Sequence, residues 1–361
     1  MNIRPPTDKA IDEAVARLRE GELIGLPTET VYGLAGDASN VHAVASIFAI
    51  KGRPATHPVI VHLASPDAVH EWARDISSDA LKLLAAFAPG PLTLILRRSP
   101  RVPDVVTGGQ DTVGLRFPSH PVARRVLDAF GGGIAAPSAN RFGRISATAA
   151  AHVVEEFAGV PRLTAGVLEL VLDGGSCEVG IESTIVDVSG INHRRATLLR
   201  PGAITASDLE RVLGYRPAVR SHASPRVSGD LPSHYAPQTA TRRVDASRLV
   251  EEARRFDAAA SVVAAKRQGP HHVGAPRVAV LARTIEPPSS FAGIWRQAPA
   301  DVAGYGRALY AELRVLDAAE VDLILVESPP EQAEWQAIND RLRRATHDTE
   351  TRAARAQGGL G

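Results

Sequence analysis

The chain has 361 residues, enough for two separate cores, since one domain usually holds roughly 100–200 residues. Lys plus Arg number 41 and Asp plus Glu 40, and the resulting net charge of +1 excludes a global attraction to nucleic acid. A single cysteine, Cys177, excludes an internal disulfide and every multi-cysteine zinc motif.

The first six residues lead without an apolar run into a charged segment, which argues against secretion. No apolar stretch approaches the roughly 20 residues of a membrane span, so a cytoplasmic protein with no membrane contact is expected. Thr7 is placed to cap a helix to about Glu20, with Ile11, Val15 and Leu18 on one face and Gly21 as its stop. Residues 23–26 read as a short buried strand that delivers Pro27 and Thr28 to a strand end. A helix over 41–50 and a strand over 59–63 follow. Ser65 and Pro66 open a helix to about Arg74, and 92–96 reads as a strand. Ser119 caps a helix to Phe130 that Gly131–133 ends. Strands over 134–136, 181–188 and 197–199 and a helix over 148–157 complete an α/β layer pattern.

From Tyr215 to Thr241 the periodicity stops, and Pro217, Pro225, Gly229, Pro232 and Pro237 punctuate a polar stretch that reads as a linker. Strands over 277–281 and 322–327 then alternate with helices over 305–319 and 334–344. That pattern predicts a small open α/β sheet, Rossmann-like in topology. No Gly-x-Gly-x-x-Gly fingerprint accompanies it, so no dinucleotide is assigned. The expected divisions are 1–212, a linker or lid at 213–241, a second domain at 242–345 and a flexible tail at 346–361.

Two polar clusters carry chemistry. Lys51 and Arg53 flank Gly52, so two cations can project from one edge while the glycine backbone approaches a ligand closely. Converging cations suit a phosphate, which Arg can hold through two hydrogen bonds. Ser138 and Asn140 are two apart, share a face of extended chain, and offer hydroxyl and amide groups to a ribose or phosphate. The chain has no P-loop, no His-Glu-x-x-His helix and no Gly-x-Ser-x-Gly elbow, so hydrolase and metalloprotease readings lose support. Cys177, in a stretch at 173–177 that its glycines mark as a loop, reads as an inert packed thiol.

These clusters belong to an ordered series: Pro27-Thr28-Glu29-Thr30-Val31-Tyr32-Gly33-Leu34, Lys51-Gly52-Arg53-Pro54, Pro89-Gly90-Pro91-Leu92-Thr93 and Gly114-Leu115-Arg116-Phe117-Pro118. Ala136-Pro137-Ser138-Ala139-Asn140, Gly180-Ile181-Glu182-Ser183-Thr184, Leu199-Arg200-Pro201-Gly202 and Ser233-His234-Tyr235-Ala236-Pro237 follow. The series resembles the YrdC-like family, specifically its two-domain members, the threonylcarbamoyl-AMP synthases, over about residues 8–345. The resemblance implies a twisted mixed sheet around a concave basic cavity and a small Rossmann-like second domain. It implies a nucleotidyltransferase that joins L-threonine, bicarbonate and ATP, with Mg²⁺, into threonylcarbamoyl-AMP and pyrophosphate. A partner protein then transfers the threonylcarbamoyl group to a tRNA adenosine beside the anticodon, and direct tRNA contact is expected to be weak at most.

By the same resemblance Lys51, Arg53, Ser138 and Asn140 carry catalysis. Arg53, His57, Thr112, Ser138, Asn140, Ser146, Arg200, His234 and Tyr235 bind the nucleotide. Thr30, His62, Arg116, the Ala136 backbone and Ser183 hold threonine. Glu29 and Glu182 are candidates for Mg²⁺ or for supporting contacts, and equally for capping carboxylates. The approach at 224–233 departs from the family's usual Pro-Gly-Met stretch. Two rival readings are weaker. A non-catalytic RNA-binding module gives His62 and Arg116 no purpose, and a hydrogenase-maturation carbamoyl transferase would carry cysteine-rich zinc segments.

Overall fold

The computed structural model describes residues 1–159, 168–191, 195–266, 278–289 and 291–358. It divides into two compact units, one of residues 1–142 and 146–230, the other of residues 143–145 and 231–361.

The first unit is built on a 12-stranded mixed sheet. Its central run is Leu23–Leu26, Gly33–Asp37, Ile134–Ala135, Ile60–His62, Thr112–Arg116, Leu92–Arg98 and Thr184–Asp187. Helices Asp8–Arg19 and Pro121–Phe130 bury Ile11, Val15, Leu18, Val122, Val126 and Leu127 against one side. A larger apolar cluster around Tyr32, Phe48, Trp72, Leu83 and Phe117 fills the other.

Local signals set most helix ends. Thr7 Oγ1 accepts from the Ala10 N–H, and Asn40 caps Val41–Lys51. The helix expected after Ser119 starts one residue later. Pro121 occupies its first turn and His120 Nδ1 accepts from the Val122 N–H, so the imidazole is the cap. The helix expected over 66–74 does not form as one element. A 3-10 turn and a single helical turn, Val69–Trp72, give way to a strand, Ala73–Arg74, paired with Leu92–Arg98. Tertiary demand explains the break: Trp72 is buried, and a Cβ at Gly133 would come within 2.3 Å of its ring. Cys177 is buried, and burial first of all pushes its thiol up to about 12, as inert packing requires.

The second unit has a four-stranded, all-parallel sheet in the order Ala240–Val244, Leu323–Glu327, Val278–Ala282, Ile294–Gln297. Leu249, Ala253, Val280 and Leu325 form its core. Glu327 is fully buried, and its carboxylate accepts from the backbone N–H groups of Arg283, Thr284 and Ile285 and from Thr284 Oγ1 at 2.5 Å. The last helix, Gln336–Gly358, runs well past the expected end at Arg344 and takes in most of the segment read as a tail. Thr349 Oγ1 accepts from the Thr241 N–H, which ties that extension to the edge strand. Among the described residues no helix is long and apolar enough to cross a membrane.

Candidate active site

Strand register assembles one wall. Ile60–His62 runs parallel to Thr112–Arg116 with His62 opposite Arg116, and Thr93 on Leu92–Arg98 pairs with Arg116 from the other side. Residues in register share a face, so an imidazole, a guanidinium and a hydroxyl stand abreast. Arg116 Nη2 lies 2.7 Å from Glu29 Oε1 and 3.5 Å from Thr28 Oγ1. Thr28 Oγ1 in turn donates to Val31 O at 2.6 Å and sits 3.0 Å from Thr30 Oγ1. Both members of the Arg116–Glu29 pair are buried, and a buried carboxylate of this kind is held by its counter-charge. Glu29 is therefore the partner of Arg116 and not a turn cap.

His62 is 2% exposed, and its Nδ1 is buried without a hydrogen-bond partner. Burial first, and the Arg116 charge second, bring its pKa down to about 3. At neutral pH the ring is uncharged and brings one donor and one acceptor.

A second set of contacts continues the wall. Thr93 Oγ1 lies 2.7 Å from Ser183 Oγ. Arg200 donates to Ser183 O through Nε (3.0 Å) and Nη2 (2.9 Å), to Ser183 Oγ at 3.1 Å, and to Ser228 O through Nη1 at 3.0 Å. Beside them Ser146 Oγ donates to Glu182 Oε1 at 2.6 Å.

The basic cluster forms where Val41–Lys51 stops at Gly52, whose φ is 62°. Nothing lies within 4 Å of a Cβ built there, so the left-handed backbone is what requires glycine. Lys51 does not project beside Arg53. It is buried, and its ammonium donates to Ser138 O at 2.5 Å and to Asn140 O. Burial first, then the Arg53 charge, drives its pKa well below the ordinary lysine value. An ammonium has donors and no acceptor, so in a buried position it seeks carbonyl oxygens. The Lys51 carbonyl accepts from the Phe142 N–H at 2.8 Å, closing the same loop. Arg53 is also buried, donates to Pro58 O at 2.7 Å and stands 5.9 Å from the Phe142 ring centroid. His57 meets that ring edge-on at 5.5 Å. The Ser138–Asn140 loop is fixed to the first motif by an isolated bridge to Gly33 and by the Ala139 N–H on Tyr32 O at 2.7 Å. The Ala136 N–H bonds Ile60 O at 3.1 Å.

Thr112 is at the far end of the strand from Arg116, about 13 Å away by strand rise. His234 and Tyr235 belong to the second unit. There Tyr235, at φ 61°, packs 4.1 Å from the His234 ring and 5.7 Å from Tyr310, with Arg341 over it at 5.5 Å. Sequence reasoning missed Gln110 and Arg226. Arg226 N donates to Gln110 Oε1 at 2.8 Å, Gln110 Nε2 donates to Arg226 O at 3.1 Å, and Arg226 Nη2 reaches Gly108 O at 3.2 Å. Arg226 is close enough to help depress the His57 pKa, after burial and Arg53. Its only sequence signal was the departure of 224–233 from the family's pattern.

Comparison with known proteins agrees along the chain. The Sua5, YciO and YrdC family model, described as telomere recombination, matches residues 16–202. The model for the C-terminal domain of threonylcarbamoyl-AMP synthase matches 204–346. Threonylcarbamoyl-AMP synthase of Pyrococcus abyssi is 36% identical over 92% of this chain and 93% of its own. That of Bacillus subtilis is 34% identical over 94% and 93%. The crystal structure of P. abyssi Sua5 complexed with L-threonine superposes with a TM-score of 0.80 at 33% identity, covering 96% of this chain and 97% of that one.

Proposed function

This chain belongs to the threonylcarbamoyl-AMP synthases, and from that premise we propose that it condenses L-threonine, bicarbonate and ATP into threonylcarbamoyl-AMP and pyrophosphate, for modification of a tRNA adenosine beside the anticodon. The observation that carries the reading is the buried alignment of His62, Arg116 and Thr93 on three neighbouring strands, with Glu29, Thr28 and Ser183 bonded or paired around it. An amino acid needs such a set: a guanidinium fork for its carboxylate and neutral hydroxyls around its amine and side chain. Arg116 takes the carboxylate, with Glu29 fixing the plane of the guanidinium. Thr30, Ser183, neutral His62 and the Ala136 backbone shape the rest of the pocket.

The threonine amine attacks bicarbonate to give a carbamate, and a carbamate oxygen attacks the α-phosphorus of ATP with pyrophosphate leaving. In such a displacement the protein mainly positions reactants and neutralises charge. Arg53 and His57 face the triphosphate. Lys51 spends two donors on the Ser138 and Asn140 carbonyls, so its main part is to hold that loop, with one N–H left for a phosphate oxygen. Ser138, Asn140, Ser146 and Arg200 line the nucleotide, with Thr112 at the periphery. Mg²⁺ supplies neutralisation of the phosphate charge, and Glu182, a buried carboxylate bonded to Ser146, suits the oxygen preference of that ion. A separate protein carries the threonylcarbamoyl group onward.

The test is pyrophosphate release by the pure protein with ATP, Mg²⁺, bicarbonate and single amino acids. Release should require bicarbonate and L-threonine together, because their carbamate is the nucleophile. Equal turnover in bicarbonate-free buffer would sink the mechanism.

A further inference from the structure

The second unit contains a concave basic site that the chemistry above does not use. It lies where the edge strand Ala240–Val244 turns into the helix Ala246–Lys266. The cavity measures about 600 Å³, and four arginines, Arg242, Arg243, Arg248 and Arg255, face two carboxylates, Asp245 and Glu252, across it. Arg248 pairs with Glu252 at 3.0 Å, and Asp245 is the other carboxylate of the lining. The Arg242 guanidinium lies 5.3 Å from the Phe256 ring centroid, which fixes its plane. Its Nε is buried without a hydrogen-bond acceptor. A positioned guanidinium with an unmet buried donor, beside further guanidiniums at a strand's carboxyl end, matches the geometry of phosphate oxygens.

We propose that this cavity binds a small anion carrying two or more phosphate charges, either an inorganic polyphosphate or a nucleoside diphosphate. The volume falls within the roughly 300–1,000 Å³ of small-ligand pockets, and the concave shape favours a compact anion over an extended nucleic-acid backbone. The inference does not depend on the catalytic reading, because every lining residue lies in the second unit.

Equilibrium binding to the full chain tests it, with inorganic pyrophosphate and ADP as separate probes. The proteins are wild type, Arg53→Ala to weaken the catalytic site, and Arg242→Gln/Arg255→Gln. Arg255→Gln alone, at an exposed position, guards against misfolding. Arg53→Ala should keep one bound equivalent of at least one probe. Both cavity variants should weaken that equivalent, the double variant at least tenfold, while turnover stays at the wild-type rate. The probe that binds more tightly separates inorganic from nucleoside phosphate. Loss of all binding in Arg53→Ala, or unchanged binding in the cavity variants, overturns the proposal. So does an RNA hairpin that binds through Arg242 and Arg255 and is not displaced by pyrophosphate.

Discussion

Arg53 and Lys51 stand one glycine apart and serve different ends. Arg53 is buried, not a solvated loop cation, and it already spends one nitrogen on Pro58 O. Replacing it by Ala removes charge-assisted hydrogen bonds worth about 1.5–3 kcal/mol, so kcat/KM for ATP should fall roughly 10- to 100-fold in a pyrophosphate-release assay. Arg53→Lys should recover little, since an ammonium cannot serve Pro58 and a phosphate with one planar fork. Wild-type kcat/KM in Arg53→Ala would remove the residue from the site. His62 gives a prediction of opposite character. Its folded pKa is about 3 against an ordinary 6.5, so the unfolded chain binds a proton over that window that the folded chain does not. Stability contributed by the neutral ring is full above about pH 6.5 and is lost on acidification toward pH 3, at most about 1.4 kcal/mol per pH unit. Urea melts at pH 7 and pH 5 should differ less in His62→Gln than in wild type. The pH profile of turnover should carry no His62 ionisation between pH 5 and 8.

At the scale of elements, the second unit has absorbed a residue that reads as part of a linker. A linker ring should bury little core, yet Tyr235 is 1% exposed and packs among His234, Tyr310 and Arg341. Tyr235→Ala should therefore lower stability by about 3–5 kcal/mol, and Tyr235→Phe by much less, in denaturant melts of the full chain. An unchanged midpoint for Tyr235→Ala would contradict the packing. The contrast shows what sequence could carry. Thr7 and Gly131 announced helix ends because caps act within four residues. Gly33–Asp37 gave no strand signal, since its two glycines are poor strand formers. It pairs because a Cβ at Gly36 would stand 2.7 Å from Leu23 Cδ2, a fit visible only with the neighbour in place. The site divides the same way. Motifs singled out Lys51, Arg116 and Ser183 as candidates, but the Glu29–Arg116 and Thr93–Ser183 contacts join residues about 90 apart and have no local signature. Gly52→Asn, which tolerates left-handed backbone, should retain most activity, whereas Gly52→Val should lose stability by roughly 1–2 kcal/mol in thermal melts.

At the scale of the whole molecule, the boundary between units falls at Asp230, beyond the last helix of the first sheet. Residues 215–230 return to the rest of the first unit through Ser228 on Arg200 and Arg226 on Gln110, and the Arg220–Asp230 pair braces the segment itself. A fragment ending at Asp230 should thus resist urea better than one ending at Gly214, which strips Arg200 of an acceptor. Both should bind L-threonine, since every group assigned to it lies before that cut. Equal resistance would show that the intervening segment adds nothing to the first unit's stability.

Glu327 carries a consequence of its own. Doubly wound sheets commonly leave loop amides open at the strand ends, where a visiting phosphate settles. Here the chain keeps a permanent tenant: its own carboxylate fills that cradle. Burial alone would raise the Glu327 pKa, but the Thr284 hydroxyl and the amides of Thr284, Arg283 and Ile285 outweigh it and hold the group below its ordinary value. The stability it brings is present above the unfolded-state pKa of about 4.3 and disappears as pH falls through the lowered folded value. Evicting the tenant should leave a vacancy that a stranger can occupy. Glu327→Ala should melt earlier than wild type, and millimolar formate or phosphate should raise its melting temperature while leaving wild type unmoved. A variant indifferent to both anions would mean the amides turn elsewhere once the carboxylate is gone.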